Sequence, residues 1–432
     1  MEHTGQIAIK LWNKNFIMLA IGQIVSLFGN SILRFALPMY ILLEYGSPEL
    51  MGRVMGLAVI PMIFISPFGG VLADRVNKKR LIVFLDFFVA IMAFLYLWAI
   101  GSLSIVPITI AMLMLLTSIN SMMSSATDSS FPLIVPAGEL VRANSVAMMI
   151  NTLAMMLGPV LGGILLVEFG LIALLVVGGI CFALAATMET FIRIPNVKQE
   201  SSGRLRTLIV GDMKDGLRFA VKTQPIIANI LLVIMLFQLV IASFGHIGVP
   251  VLITQNLGLD GRMAGIAMGF IGAGGIAGGI LSGILGQKVR IQKNHWKLFI
   301  VAICLIPMGL VFLLSANVVI AFITIAAMMF VAMLGATMFT VQIMTLFQRI
   351  TPPEFLGKIM ALIMTATVLA QPLGQWVYGI LFERFGADPW IIIFGASFFG
   401  IILALWSRRF FKRIPPQEPE AEDSRCIPAD MI

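Results

Sequence analysis

Apolar residues run along this chain in stretches long enough to cross a bilayer, separated by short polar connections. A helix needs about 20 apolar residues to cross the hydrocarbon core. On that measure twelve spans are predicted, beginning near Phe16, Met51, Leu81, Ile105, Asn144, Leu171, Ile226, Arg262, Leu298, Val318, Ile359 and Trp390. The first apolar run, Phe16 to Leu43, is too long for the core of a signal peptide and lacks a cleavage pattern, so it is expected to remain as the first span. The longest polar connection divides the chain into an N-terminal six-helix bundle (1–192), a linker (193–224) and a C-terminal six-helix bundle (225–413). Within the linker, Leu205, Leu208, Ile209, Met213, Leu217, Phe219 and Ala220 alternate with basic residues and predict an amphipathic helix on the membrane surface. The tail 414–432, with Pro415, Pro416, Glu418 and Glu420, has no apolar periodicity and is expected to be disordered.

Composition agrees with this pattern. Of 432 residues, 59% are hydrophobic and 12% charged, whereas soluble domains carry about 25% charged residues. The net charge of +8 sits in short loops. With both termini inside, only Arg53, Arg262 and Arg384 fall on the outer side and Arg34 within the first span, while the other lysines and arginines face the cytoplasm. Positive-inside orientation therefore explains the basic balance, and no nucleic-acid partner is implied. The lipid bilayer is the expected surrounding, in the cytoplasmic membrane, and no obligate protein partner is evident. Cys181, Cys304 and Cys426 are isolated and suggest neither disulfides nor a metal site. No cofactor is implied.

The two halves are related in sequence. Residues 163–170 (GILLVEFG) match 379–386 (GILFERFG), and Gly69-Gly70-Val71-Leu72 matches Gly278-Gly279-Ile280-Leu281 in the same order. Such a repeat builds two bundles facing one another across a midplane cavity, and rocking one against the other gives alternating access.

Between the second and third spans runs Gly70-Val71-Leu72-Ala73-Asp74-Arg75-Val76-Asn77-Lys78-Lys79. This stretch resembles the loop signature of the major facilitator superfamily, Gly-x-Leu-x-Asp-Arg-x-Gly-Arg-Lys, with Asn77 in place of the glycine. The resemblance implies an all-α polytopic membrane protein of twelve transmembrane helices in two six-helix repeats around a central cavity. It also implies a gating charge network in which Asp128, at the end of the fourth span, joins Asp74 and Arg75 or Lys78. Gly158-Pro159-Val160-Leu161-Gly162-Gly163 is similar to the end of the proline-glycine motif of drug/proton exchangers; Gly158, Pro159, Gly162 and Gly163 make a pliable, closely packed helix suited to a hinge or seal. Gly22-Gln23, Gly29-Asn30 and the segment from Pro136 to Asn144 resemble the branch of the superfamily that contains macrolide efflux proteins and enterobactin exporters. That branch has an aspartate where Asn30 stands.

Polar groups inside spans carry the functional expectations. Gln23, Ser26, Asn30 and Arg34 recur at helical spacing and predict a polar face on the first span. Asn151, Gln238, His246, Gln342, Gln371 and Gln375 are further candidates for the substrate cavity, and Asp86 and Glu189, both near the cytoplasmic ends of their spans, are candidate proton sites. Glycines 265, 269, 272, 275, 279, 283 and 286 predict one small-residue packing stripe on the eighth span. The dispersed His3, His246 and His295 argue against a membrane-embedded enzyme, and no selectivity ring or phosphate-cradling loop argues for a channel or an ATP-driven pump. The expected function is secondary export of an amphipathic small molecule in exchange for protons. A self-made metabolite such as a siderophore is the alternative cargo, and import by symport a less favoured direction.

Overall fold

The structure, a computed structural model, describes residues 12–62, 65, 76–195, 215–285 and 291–412. Its elements are helical. In chain order they are α1 (Lys14–Tyr45), α2 (Pro48–Ala58), α3 (Lys78–Ala99) and α4 (Ile105–Asp128). A helix spanning Leu140–Thr190 then turns back at Gly170, where φ is 75°, and its arms before and after that break are α5 and α6. The seventh pass, α7 (Pro225–Asn256), contains two π-helical stretches. The remainder are α8 (Gly261–Leu285), α9 (His295–Leu313), α10 (Val318–Ile350), α11 (Pro353–Phe385) and α12 (Pro389–Phe411). Ten described helices are long and apolar enough to cross a membrane. One of them, the 51-residue helix, crosses twice. α2, described over Pro48–Ala58, stands at the second of the twelve expected spans.

Short polar residues set the helix starts. Asn13 accepts from the Phe16 amide (3.0 Å), Asn77 from that of Arg80 (3.1 Å) and Asn317 from that of Val319 (2.9 Å), each satisfying an amide that the first turn leaves open. Large apolar side chains such as Trp98 and Phe398 point outward (80% and 67% exposed), as a lipid-facing surface requires. Between helices the contacts run through small residues. Cβ atoms added at Gly278 and Gly400 would lie 2.6 Å from Leu334 O and 2.8 Å from Ala302 Cβ, so α8 lies close on α10 and α12 on α9.

An even number of passes puts the start of α1 and the end of α12 on one side, here termed proximal. The halves meet toward the opposite, distal side. There α2 lies on α11, with Gly52 against Gln375 O and Gly379, and Gly379 in turn against Pro48 O; α5 lies on α8, with Gly163 against Gly261 O. Further along α8, Gly265, Gly269 and Gly272 still abut Pro159, Val160 and Met156, but Gly279 and Gly283 meet nothing within 4 Å. The predicted stripe is therefore not one continuous seam. Its distal part is packed and its proximal part open because α5 and α8 diverge; the tight proximal contacts of α8 are instead those of Gly274 and Gly278 with α10. Gly286 lies outside the described residues.

Two other expectations change. Lys297, read as a loop residue, is buried within α9. The linker helix is described only from residue 215, where Phe219 and Ala220 are buried in the protein rather than laid on lipid: Phe219 stacks on Phe355 at 4.4 Å and Lys358 pairs with Asp215 at 3.2 Å. Leu205 to Met213 and the tail 414–432 lie outside the described residues.

Candidate functional site

A polar cavity opens among the helices of the first half. Gln23, Ser26 and Asn30 of α1 form one wall, as their spacing predicts, and Asn120, Ser124 and Asp128 of α4 another; Asn144 and Asn151 of α5 complete the polar lining. Met123 and Phe182 supply apolar surface. The polar run on α4 divides by helix face. Thr117 faces away from the cavity and binds the Ala58 carbonyl of α2 (2.6 Å), while Ser124 donates to Asp128 Oδ2 (3.3 Å) at the cavity edge.

Asp86 also lines this cavity, and Ser26 Oγ donates to its Oδ1 at 3.0 Å. Glu189 of α6 reaches hydrogen-bonding range of Asp86, and its head fills the recess left by Gly22, where a Cβ would lie 3.0 Å from Glu189 Oε1. Positions near the ends of their spans suggest exposure of the two acids at the membrane edge, but both side chains are buried in the protein. They are 0% and 1% exposed. Helices α1, α3 and α6 cross where a glycine allows it, and this crossing joins two residues 103 positions apart into one group.

Arg34, one turn beyond Asn30, stands open while its neighbours Leu33, Ala36 and Leu37 are fully buried. Its charge acts on His246 of α7, so these two predicted groups are electrostatic neighbours from opposite halves. The other second-half candidates divide. Gln238 and Gln371 are half-buried, and their backbone carbonyls both accept from Ser243 Oγ at 2.8 Å. Gln375 is buried where α11 crosses α2, and Gln342 accepts from the Lys297 ammonium, which also donates to Asn294 Oδ1 (2.7 Å). Gln342 is thus engaged in a helix contact, whereas Gln375 meets α2 through its backbone carbonyl and its side-chain oxygen is buried without a hydrogen-bond partner. Of the loop network, Lys78 opens α3 and Asp128 lies at the cavity edge, while Asp74 and Arg75 lie outside the described residues. Gly158, Pro159, Gly162 and Gly163 sit in a helix wedged between α1 and α8, against Ser31, Gly265, Ile32 and Gly261 respectively.

Besides the donation of Gln255 Nε2 to the Gly46 carbonyl (2.9 Å), two carboxylate contacts clasp the halves at the distal end. Glu168 Oε1 of α5 pairs with Arg262 Nη1 of α8 (2.5 Å), and Asp260 Oδ2 takes Nη2 of the same guanidinium (2.6 Å). Partial burial raises the Asp260 carboxyl, but the Arg262 guanidinium and the Met263 amide outweigh it and hold Asp260 below the usual carboxylate range. Its pairing is therefore lost only as pH falls through that lowered value. In the other contact, Glu383 Oε2 of α11 accepts from Ser47 Oγ (2.7 Å) and from the Glu49 amide (3.2 Å) at the start of α2. The sequence reading placed Arg262 outside but missed both clasps, since each joins a carboxylate to the start of a helix far away in the chain. Both clasp carboxylates fall within the repeated segments 163–170 and 379–386, one position out of register, with Glu168 matched to Arg384 and Glu383 to Val167.

A polytopic helical protein whose two halves pack at one end, with a polar internal cavity in the first of them, is a membrane transporter in architecture. The Major Facilitator Superfamily profile matches residues 19–375, and the chain belongs to that family. Among curated relatives, macrolide efflux protein A of Streptococcus pyogenes is 23% identical over 390 residues, covering 89% of this chain and 93% of the relative. The uncharacterized MFS-type transporter YfiS of Bacillus subtilis (strain 168) is 26% identical over 370 residues, 81% and 82% of the two chains. Solved structures share the fold at low identity. The nucleoside transporter NupG superposes with a TM-score of 0.73 at 12% identity, covering 93% of this chain and all of that one; the inward-open xylose transporter XylE from E. coli does so at 0.66 and 15%, over 94% and 97%.

Proposed function

We propose that this protein is a secondary exporter of an amphipathic organic molecule, working by alternating access and proton exchange in the cytoplasmic membrane with both termini inside. The observation that carries the reading is the asymmetry of the contact between halves: packed distally from Gly163 to Gly272, open proximally at Gly279 and Gly283. That is one end state of a rocking cycle, with the cavity open toward the cation-rich side. The rocking units are residues 1–192 and 225–413, joined by the linker 193–224. The relative that handles macrolides, the proline-glycine helix at the interface and the absence of any metal-holding acid or histidine cluster among the described residues all favour export of an organic molecule. Cargo enters the cavity walled by Gln23, Asn30 and Asn151, with Arg34 and His246 beyond, and the packed Gly158 to Gly163 helix keeps the distal side sealed meanwhile.

A siderophore-like anion is the second reading. It is favoured by Arg34 and His246, on which no carboxylate acts among the described residues. Everted membrane vesicles distinguish the cargoes. Macrolides, dyes and catecholate siderophores are offered with a proton gradient present and then collapsed, and the cargo is the compound whose accumulation is lost on collapse. No gradient-dependent accumulation of any compound would sink proton-driven export of these classes. Arg34→Gln should lower that accumulation by about tenfold or more, equivalent to about 1.4 kcal/mol of lost interaction. Asp128→Asn should slow turnover with normal membrane insertion if the proximal charge network gates the cycle; wild-type rates would remove Asp128 from it.

A further inference from the structure

We propose that Asp86 and Glu189 form a single one-proton site, a carboxylic acid hydrogen-bonded to a carboxylate, and that its occupancy is what α1 senses. This rests on the transport reading above and names the residues that hold the coupling ion.

Two bare carboxylates repel and have no hydrogen to share, so hydrogen-bonding contact between them requires a proton. Asp86 Oδ2 and both Glu189 carboxylate oxygens are buried with no other hydrogen-bond partner. Ser26 donates to Asp86 Oδ1, which makes Asp86 the accepting member and places the shared proton on Glu189. The surroundings offer no other compensation. From α1 the facing groups are Gly22, Gln23 and Ser26, and from α5 Asn144 and Asn151 line the same cavity, all neutral; from α4 comes Asp128, itself an acid at the cavity edge; of the groups from α3 and α6 only the pair itself is charged there. Among the described residues no lysine, arginine or histidine acts on either acid.

The site is connected on both sides. Asp86 lines the cavity, so protons exchange through it: loading takes one proton from hydronium in the cavity and leaves water, and release reverses this. Both contacts of the pair with α1, Ser26 and Gly22, lie below Asn30 and Arg34 on the same helix, so a change in proton occupancy is felt by the helix that carries the cargo-facing groups.

The test uses the full-length protein in lipid and needs no cargo. Infrared difference spectra recorded across a pH titration should show a protonated-carboxyl band at neutral pH. That band should be absent in Glu189→Gln, shifted in Asp86→Asn, where the buried Glu189 keeps its proton but loses its carboxylate acceptor, and unchanged in Asp128→Asn. Glutamine keeps the size and hydrogen-donating ability of the protonated glutamate, so Glu189→Gln is expected to fold. Gly22→Ala keeps both acids but pushes on Glu189, and should move the band without abolishing it. A band that survives Glu189→Gln or is unmoved in Asp86→Asn, or no band in the wild type, overturns the site, as does loss of the band when sodium replaces potassium, which would make the ligand a metal cation. Sensing is read separately, from thiol labelling of Met148→Cys in a cysteine-free background: the rate should depend on pH with Glu189 present and not in Glu189→Gln. A pH-independent rate in both overturns sensing by α1. If vesicles show gradient-driven export while the band is missing, the site fails and the exporter stands; a band without gradient-driven export leaves the site and sinks its coupling role.

Discussion

Leucine at Gly272 should hold the protein open on the distal side, and leucine at Gly279, seven residues along the same helix, should hold it open on the proximal side. A Cβ at Gly272 would lie 2.6 Å from Met156 Cα, a backbone atom that cannot swing away, so a leucine there keeps α5 and α8 from closing as they do in this state. Gly279 meets nothing within 4 Å. A leucine there is accommodated now and obstructs only when the proximal ends approach in the opposite state. Overpacking of a helix seam costs about 1–3 kcal/mol, which moves a two-state equilibrium by roughly five- to a hundredfold. Both variants should therefore lose most of their turnover while inserting normally. Thiol labelling separates them: cysteines introduced near Gly261 should become more reactive in Gly272→Leu, and cysteines near Met148 should stay reactive in Gly279→Leu. If both substitutions leave labelling and turnover unchanged, the α5–α8 seam does not move and the rocking reading loses its main support.

These glycines also show what the sequence could tell. Their spacing marked α8 as a packing helix, but spacing is blind to whether a neighbour diverges, and divergence is what divides one stripe into a packed half and an open half. The same holds at the site. The polar face of α1 was readable from Gln23, Ser26, Asn30 and Arg34, because a period of 3.6 residues fixes which side chains share a face. The meeting of Asp86 with Glu189 was not, since it depends on helices from distant parts of the chain crossing at Gly22. Gln342 is opaque in sequence for the reciprocal reason: an intramembrane amide suits a helix contact as well as a cavity, and only Lys297 decides between them. The apolar runs made the twelve-span fold legible because lipid requires each crossing segment to satisfy its own backbone.

Reversing the two distal carboxylates together, Glu168→Lys with Glu383→Lys, should shift the protein toward the distal-open state more than either change alone, and by close to the sum of the two. Glu168 and Arg262 are about half exposed (46% and 44%), so solvent screens their attraction and removing it alone has a small effect. A lysine in place of Glu168 adds repulsion against Arg262. At the other clasp, a lysine for Glu383 takes an acceptor from Ser47 Oγ and the Glu49 amide and sets a cation at the positive end of α2, a further loss of about 0.3–1 kcal/mol. The clasps belong to different helix pairs, α5 with α8 and α11 with α2, and share no side chain, so their effects should add within about 0.5 kcal/mol. Together they should raise distal labelling by about tenfold at low salt, and by less as salt screens the exposed charges. A double variant no more open than the single ones would show that one clasp alone limits opening, and the sequence repeat would then not extend to the mechanics of the distal gate.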